Sequence, residues 1–234
     1  MGSQTHRIDP PVRLSALLFD LDGTLIDSAP DLAAALNRVL ADRGRPRLSE
    51  ATVRTLVGGG ARRLVTRGFA ATGGPPDDLE RAVDAFLESY MGEIALRTRP
   101  YEGVVETLAA LSGAGRSLAV VTNKPTRAAR LVLEALDLAR WFAPEHVIGG
   151  DDFPAKKPDP APVRGALRRL GAPPEGAVMI GDSAADVGAA RAAGLRSIAV
   201  GYGYAGGPAE ALGADRLIAR FDDLPAALDA WEKA

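Results

Sequence analysis

Two aspartates two residues apart follow an apolar run near the start of the chain. Residues 14–19 are apolar except Ser15, and Asp20 and Asp22 come directly after them, before Gly23. A short continuous apolar run is typical of a buried strand in a parallel sheet, and ligands bind outside the carboxyl ends of such strands. Two carboxylates this close repel each other and need a cation to stay ionised together. The pair therefore indicates a site for a hard cation such as Mg²⁺, which also takes phosphate oxygens.

The same pair allows two other interpretations. Asp-x-Asp-Gly also opens calcium-binding loops, and Asp31 lies where such a loop needs its last carboxylate. However, that loop needs glycine at its sixth position, where this chain has Leu25. Asp22-Gly23 also fits a simple hairpin turn. These residues alone leave the choice open.

Polar residues of the types that phosphoryl chemistry uses follow three later strands of the predicted sheet. They are Thr122, Asn123 and Lys124 after the second strand, Lys156 and Lys157 after the third, and Asp182 and Asp186 after the fourth. The chain has only four lysines, and three of them lie at these strand ends. Asp186 also completes a capping box with Ser183, which by itself explains its presence at the start of a helix. Asp182 has no such role, so we expect it to be a metal ligand beside Asp20.

From Tyr101 onward, short apolar runs alternate with amphipathic helical patterns. This alternation predicts the α/β class, with a parallel sheet covered by helices on both faces. Residues 28–97 carry only helical and loop patterns, so they are predicted to form an all-helical insert after the first strand. We expect a disordered tail at residues 1–11, a core of residues 12–27 and 98–234, and a helical cap of residues 28–97.

The insert carries its own helix signals. Ser28-Ala29-Pro30-Asp31 fits a capping box at the start of the first helix. The longest helix is predicted to run from about Leu79 to about Leu96 on the spacing of its apolar residues.

Composition excludes several classes of protein. A hydrophobic fraction of 47% over 234 residues is typical of a globular protein, and a net charge of -2 gives no indication of a nucleic acid or acidic membrane partner. No apolar run approaches the roughly 20 residues of a membrane span, and residues 1–11 lack the core of a signal peptide. We expect a cytoplasmic protein, either a monomer or a homodimer. The chain has no cysteine and only two histidines, so any covalent nucleophile is most simply a carboxylate.

A glycine-rich stretch offers a competing function. Residues 201–206 match the dinucleotide-binding pattern G-x-G-x-x-G and follow a predicted strand. A dinucleotide site also needs a full-length helix directly afterwards, but Gly207-Pro208 intervenes. The pattern alone is therefore weak evidence for a nicotinamide cofactor.

Four of these stretches resemble, in order and spacing, the motifs of the haloacid dehalogenase-like phosphatase superfamily. They are Asp20–Leu25, Thr122–Asn123, Lys157–Pro158 and Gly181–Asp186. The helical insert resembles the first type of cap in that superfamily. Within it, the chain is most similar to the bacterial phosphoglycolate phosphatases, on the stretches Asp27–Leu32, Val57–Ala61, Thr122–Pro125, Lys157–Pro162 and Gly201–Tyr204.

The resemblance implies a Rossmann-like parallel sheet with an inserted cap. It also implies an Mg²⁺-dependent phosphatase of a small phosphorylated metabolite, with 2-phosphoglycolate as the expected substrate. By resemblance, Asp20 is the nucleophile that forms an aspartyl-phosphate, and Asp22 is the general acid and base. The other implied roles are phosphate binding by Thr122 and Lys157, substrate positioning by Asn123, Mg²⁺ ligation by Asp20, the Asp22 carbonyl and Asp182, and support of the metal site by Asp186.

A carboxylate-bearing substrate needs a further cation, and the insert offers one. Gly58-Gly59-Gly60 allows close approach of backbone to a small ligand, and the helix start after it favours an anion. Arg62 follows this loop and could bind a carboxylate with two parallel hydrogen bonds. We therefore predict substrate contacts from Gly60 and Arg62, with Arg63 as the second choice.

Three rival functions remain. A phosphatase for another sugar phosphate shares the motifs. A β-phosphoglucomutase-like phosphomutase shares the nucleophile but returns the phosphoryl group to a bisphosphate intermediate. A 2-haloacid dehalogenase is disfavoured because, by family resemblance, its chemistry does not use the second aspartate, and Asp22 is present.

Overall fold

A six-stranded parallel sheet lies at the centre of the protein, seen here in a computed structural model that describes residues 13–204 and 207–233. In chain order the strands are β1 (Ala16–Phe19), β2 (Ile26–Asp27), β3 (Arg99–Pro100), β4 (Ser117–Val121), β5 (Val147–Ile148), β6 (Ala177–Gly181), β7 (Arg196–Val200) and β8 (Arg216–Ile218). The order across the sheet is β5-β4-β1-β6-β7-β8. The α/β prediction is confirmed, while the predicted disordered tail lies outside the described residues.

Strand β1 is central and buried on both faces. Its side chains alternate: Leu17 and Phe19 join one apolar cluster, and Ala16 and Leu18 join another on the opposite face. All four residues are fully buried, which explains why the sequence reads as a continuous apolar run.

Helices cover both faces of this sheet. In chain order they are α1 (Ala29–Ala41), α2 (Glu50–Arg54), α3 (Ala61–Ala70), α4 (Leu79–Gly92), α5 (Val104–Gly113), α6 (Thr126–Ala135), α7 (Ala161–Leu170), α8 (Ala184–Ala193) and α9 (Leu224–Glu232). Apolar residues of α5, α6 and α9 pack on the Phe19 face, and those of α7 and α8 pack on the Leu18 face. Among the described residues, no helix is long and apolar enough to cross a membrane.

Helices α1 to α4 belong to the stretch of residues 28–97, which we call the helical segment. Their apolar faces form a separate cluster that includes Leu36, Phe69 and Phe86, and Ala128 of α6 joins it from the sheet side. The chain enters and leaves the segment through β2 and β3, which pair antiparallel. The segment therefore has its own core and is connected to the sheet by two adjacent strands.

The start of α1 differs from the predicted capping box. The Ser28 side chain makes no capping bond. The buried Asp31 carboxylate instead accepts hydrogen bonds from the backbone N–H groups of Arg97 and Thr98, at 3.0 and 2.8 Å, and from the Thr98 hydroxyl at 2.6 Å. Asp31 thus ties the beginning of the helical segment to its end.

Candidate active site

The carboxyl ends of β1, β4 and β6 meet at one edge of the sheet. Phe19 is in register with Val120 of β4 and Ile180 of β6, so the residues that follow these strands are neighbours. Asp20 continues the pairing, because its N–H donates to the Ile180 carbonyl at 2.9 Å. Asp20, Thr122 and Asp182 are all buried at this edge, where the sequence predicted them.

Lys157 places a buried cation between two carboxylates. Its Nζ lies 3.0 Å from Asp20 Oδ1 and 2.6 Å from Asp186 Oδ1, and it also donates to the Val121 carbonyl. Burial by itself would lower the pKa of Lys157, but the Asp186 and Asp20 carboxylates more than offset it and raise that pKa. The ammonium therefore stays charged and offsets part of the acidic cluster.

Asp20, Asp182 and Asp186 bring carboxylate oxygens within 4.8 Å of one another. Burial, with the Asp186 carboxylate adding to it against the opposing Lys157, raises the pKa of Asp20 to about 6. Burial and the other two carboxylates raise the pKa of Asp182 well above its usual range. The single positive charge of Lys157 therefore does not neutralise the three carboxylates of the cluster. A hard divalent cation binds such a set of carboxylate oxygens.

Asp186 is already engaged on both oxygens. Oδ1 bonds Lys157, and Oδ2 accepts from the Ser183 N–H at 3.0 Å and the Ser183 hydroxyl at 2.6 Å. The predicted capping box is present, so Asp186 fixes Lys157 and the start of α8 at once. Among the described residues Asp20 Oδ2 accepts no hydrogen bond, and Asp182 Oδ1 accepts only a long one, 3.4 Å from the Thr24 hydroxyl, so these two oxygens are the better placed to meet a cation.

The Asp22 carboxylate lies apart from that cluster. The Ser28 hydroxyl donates to Asp22 Oδ1 at 2.5 Å, and Lys124 Nζ lies 3.0 Å from both Asp22 oxygens. Burial by itself would lower the pKa of Lys124, but the Asp22 carboxylate and the Tyr90 hydroxyl outweigh it and raise that pKa. Asp20 and Asp22 are thus held by different lysines.

The helical segment contributes Tyr90 to the same site. The Lys124 Nζ lies 4.4 Å from the centroid of the Tyr90 ring, a cation–π contact. The Tyr90 hydroxyl is buried and has no hydrogen-bond partner among the described residues. Burial raises the pKa of Tyr90, so the hydroxyl keeps its proton. In the sequence Tyr90 reads only as the last residue of an apolar helix face.

A pocket lies between the edge of the sheet and the helical segment. On the sheet side it is lined by Asp20, Asp22, Thr122, Asn123, Lys124, Pro125 and Ala128. On the segment side it is lined by Leu32, Val57, Gly58, Gly60, Ala61, Leu64, Phe86, Leu87 and Tyr90. The structure therefore brings the predicted Asp20, Asp22, Thr122, Asn123 and Gly60 together around one space.

Asn123 and Gly60 join the two sides of this pocket. Asn123 Nδ2 donates to the carbonyls of Gly58 and Lys157, at 3.1 and 3.0 Å. Gly60 has φ +81°, and a Cβ there would lie 2.7 Å from the Asn123 carbonyl oxygen. A side chain at position 60 would push the two backbones apart.

The predicted substrate contact of Arg62 is not supported by its position. Its side chain is 58% exposed and is paired with Glu80 of α4. Helix α3 presents Ala61 and Leu64 to the pocket, and neither Arg62 nor Arg63 is among the described residues that line it. The helical pattern predicted where α3 begins but not which side of its first turn faces the sheet.

Gly203 and Tyr204, in the described part of the glycine-rich stretch, pack against Asp182. The Tyr204 N–H donates to Asp182 Oδ2 at 2.7 Å, and a Cβ on Gly203 would lie 2.2 Å from the Asp182 Cβ. The Tyr204 hydroxyl donates to Asp27 Oδ1 at 2.8 Å and accepts from the Ser28 N–H at 2.7 Å. Sequence reasoning missed this support of Asp182 and of the chain's entry into the helical segment.

The family model for haloacid dehalogenase-like hydrolases matches residues 17–200. The chain belongs to this family. It is 46% identical over 216 residues to the phosphoglycolate phosphatase of Caulobacter vibrioides, which covers 91% of this chain and 90% of that protein. It is 44% identical over 192 residues to phosphoglycolate phosphatase 1 of Pseudomonas aeruginosa, covering 80% and 70% of the two chains.

A solved structure also supports the similarity to phosphoglycolate phosphatases. The crystal structure of a predicted phosphoglycolate phosphatase from Haemophilus somnus superposes with a TM-score of 0.85 at 34% identity, over 91% of this chain and 97% of that one. The predicted resemblance to bacterial phosphoglycolate phosphatases and the predicted enzyme class, a phosphoric monoester hydrolase, are confirmed. The cytoplasmic location and the monomeric or homodimeric state stay predictions.

Proposed function

We propose that the protein hydrolyses the phosphate ester of 2-phosphoglycolate, through a covalent intermediate on Asp20. The observation that carries this proposal is the placement of the buried Asp20 carboxylate in a small pocket beside Asp22 and Thr122. The identity of 46% to a phosphoglycolate phosphatase over most of both chains supports the choice of substrate.

Asp20 is the nucleophile in this proposal. The Leu21 N–H and Lys157 both bond Asp20 Oδ1, which leaves Oδ2 for attack on phosphorus. A bond forms between that oxygen and phosphorus while the bond to the ester oxygen breaks, and the product is an aspartyl-phosphate. Thr122 donates a hydrogen bond to the phosphoryl oxygens, and Lys157 does so by giving up one of its present bonds to Asp20, Asp186 or the Val121 carbonyl.

Asp22 moves the protons. It gives a proton to the glycolate oxygen as that group leaves, and then takes a proton from the water that attacks phosphorus. That second attack releases phosphate and returns Asp20 to its carboxylate form. The bonds to Asp22 from Ser28 and Lys124 support this role, because they fix its side chain in the lining of the pocket that also contains Asp20.

The donor set fits Mg²⁺. We propose that Asp20, the backbone carbonyl of Asp22 and Asp182 hold the ion, while Asp186 orients the site through Lys157 and Ser183. When bound, Mg²⁺ would offset the negative charge on the phosphoryl oxygens.

The helical segment acts as a cap over the reaction. Its Leu64, Phe86 and Tyr90 line the pocket opposite the carboxylates, and an apolar cover excludes bulk water from the covalent intermediate. The antiparallel pair of β2 and β3 is the joint on which the cap would move.

A panel of phosphate esters tests the proposed function. The full chain with Mg²⁺ is assayed for phosphate release from 2-phosphoglycolate, glucose 6-phosphate and β-glucose 1-phosphate. We expect kcat/KM for 2-phosphoglycolate to exceed the others by roughly tenfold or more, about 1.4 kcal/mol of transition-state binding. Conversion of β-glucose 1-phosphate to glucose 6-phosphate would instead indicate a phosphomutase, and a preference for a sugar phosphate would contradict the substrate.

A further inference from the structure

Two polar groups meet in the pocket where the helical segment faces the edge of the sheet. They are the Tyr90 hydroxyl, on α4, and the Lys124 ammonium, after β4. The wall around them consists of Leu32, Leu64, Phe86, Leu87 and Ala128. Polar groups in an otherwise apolar pocket wall usually fix the orientation of a ligand.

Tyr90 has a hydroxyl without a partner. The side chain is 2% exposed, and no described residue accepts a hydrogen bond from its oxygen. Buried hydroxyls in native proteins are nearly always paired. Since Tyr90 lines the pocket, a ligand in the pocket is the group that can supply the missing acceptor.

Lys124 is the one basic side chain that lines the pocket, among the residues that the structure describes. An ammonium carries three N–H donors, and the two Asp22 oxygens account for two of them. The third donor of this buried cation faces Tyr90, where Nζ lies over the ring and close to the hydroxyl, so a ligand carboxylate could accept from both groups at one place.

The chemistry of the expected substrate matches this spacing. In 2-phosphoglycolate a single methylene carbon separates the ester oxygen from the carboxyl group. When the ester oxygen lies within reach of Asp22, the carboxylate lies one carbon further, beside the lysine that Asp22 already touches. Arg62, the other candidate for this contact, is on the surface and paired with Glu80.

We propose that the Tyr90 hydroxyl and the Lys124 ammonium form a subsite for the carboxylate of the substrate. This inference rests on the proposed hydrolysis of 2-phosphoglycolate and names the residues that select it. Because Tyr90 comes from the helical segment and Lys124 from the edge of the sheet, the subsite is complete only when the two parts are in contact. A carboxylate-bearing phosphate ester is thus the class of substrate that this pocket selects.

The test compares 2-phosphoglycolate with 2-hydroxyethyl phosphate, in which a hydroxymethyl group replaces the carboxylate. Tyr90→Phe removes only the hydroxyl and keeps the ring over Lys124. We expect kcat/KM for 2-phosphoglycolate to fall by roughly tenfold or more, mainly through KM, as for a hydrogen bond to a charged group. The value for 2-hydroxyethyl phosphate should change by less than about twofold, and Lys124→Met should shift the ratio of the two substrates in the same direction.

Two variants serve as controls. Tyr101→Phe removes another buried hydroxyl that has no hydrogen-bond partner among the described residues and lies outside the pocket, and Arg62→Ala removes the surface arginine. Neither should change the substrate ratio. If Lys124→Met does not fold, the isosteric Tyr90→Phe decides by itself.

Three results would overturn the subsite. The first is an equal loss of kcat/KM on both substrates in Tyr90→Phe, and the second is no loss on either substrate in that variant. The third is a changed substrate ratio in Arg62→Ala but not in Tyr90→Phe. A wild-type enzyme that prefers 2-phosphoglycolate, with an unchanged ratio in Tyr90→Phe, contradicts the subsite alone. A wild-type enzyme that hydrolyses other esters and not 2-phosphoglycolate contradicts the proposed function as well.

Discussion

Lys157 stabilises the buried carboxylates Asp20 and Asp186 at the carboxyl edge of the sheet, which we call the acidic edge. It is fully buried and bonds both Asp20 and Asp186, while Asp182 lies in the same cluster. The neighbouring Lys156 is exposed to solvent. The two adjacent lysines therefore provide a matched pair of side chains, one inside the charge network and one outside it.

We predict that Lys157→Met lowers the free energy of unfolding by about 3 kcal/mol, because it leaves buried carboxylates without their partner. Lys156→Met should change it by less than about 0.5 kcal/mol, as is usual for surface positions. Urea unfolding of both variants without added metal measures the difference. Similar losses in the two variants would contradict the account of the acidic edge.

Sequence reasoning located the residues at strand ends and missed those that reach the site from elsewhere. Asp20 and Asp182 directly follow buried strands, and the parallel pairing of those strands fixes their proximity. Arg62 was misplaced because helical periodicity does not give the rotation of α3 against the sheet. The roles of Tyr90 and Tyr204 were not predicted because each acts through one polar atom on a largely apolar side chain.

At the scale of elements, Asp31 connects the two ends of the helical segment. One carboxylate holds two backbone N–H groups and one hydroxyl from the chain that returns toward β3. The exposed Asp42 at the other end of α1 accepts none of these bonds. Comparing substitutions of these two aspartates separates the effect of losing the hydrogen bonds of Asp31 from the effect of removing one negative charge from α1.

We predict that Asp31→Asn lowers the free energy of unfolding by about 2 kcal/mol, because the amide cannot accept on both sides and leaves a buried N–H unpaired. Asp42→Asn should be neutral or slightly stabilising, since it removes a negative charge at a helix C-terminus. Thermal unfolding of both variants compares them. Equal midpoints for Asp31→Asn and the wild type would show that the tie contributes nothing.

Elements with a strong repeating pattern were predicted better than those set by long-range contacts. The buried strands β1, β4, β5, β6 and β7 and the helices between them follow from apolar runs and periodicity. Strands β2 and β3 have two residues each and exist only because distant parts of the chain meet. Helix α4 ends at Gly92, before the predicted Leu96, because the chain must turn back toward Asp31.

The stability of the whole molecule should depend on a divalent cation, and the size of this dependence should change with pH. The pKa of Asp20 is raised from 3.8 in the unfolded chain to about 6 in the fold, and burial and neighbouring carboxylates also raise the pKa of Asp182 well above its usual range. Without metal, the fold binds these protons more tightly than the unfolded chain does. Their contribution to stability is therefore lost as the pH rises through that window.

A cation that binds the ionised carboxylates reverses this loss. We predict that saturating Mg²⁺, about 100 times its Kd, raises Tm by roughly 5–10 °C near pH 7.5, equivalent to about 2.7 kcal/mol. The rise should be much smaller near pH 4.5, where protons compete for the same oxygens. Scans of wild type and Asp182→Asn with and without Mg²⁺ measure it, and an equal rise at both pH values, or in the variant, would contradict the proposed metal site.

The central claim is that Asp20 is the covalent nucleophile of a phosphatase. The most direct measurement is the rate of phosphate release from 2-phosphoglycolate by Asp20→Asn beside the wild type, with thermal unfolding confirming that the variant is folded. We predict a fall of roughly 10⁴-fold or more, because an amide is a poor nucleophile and the catalytic groups act as a unit. A rate within about tenfold of wild type, less than about 1.4 kcal/mol of barrier, would contradict the account.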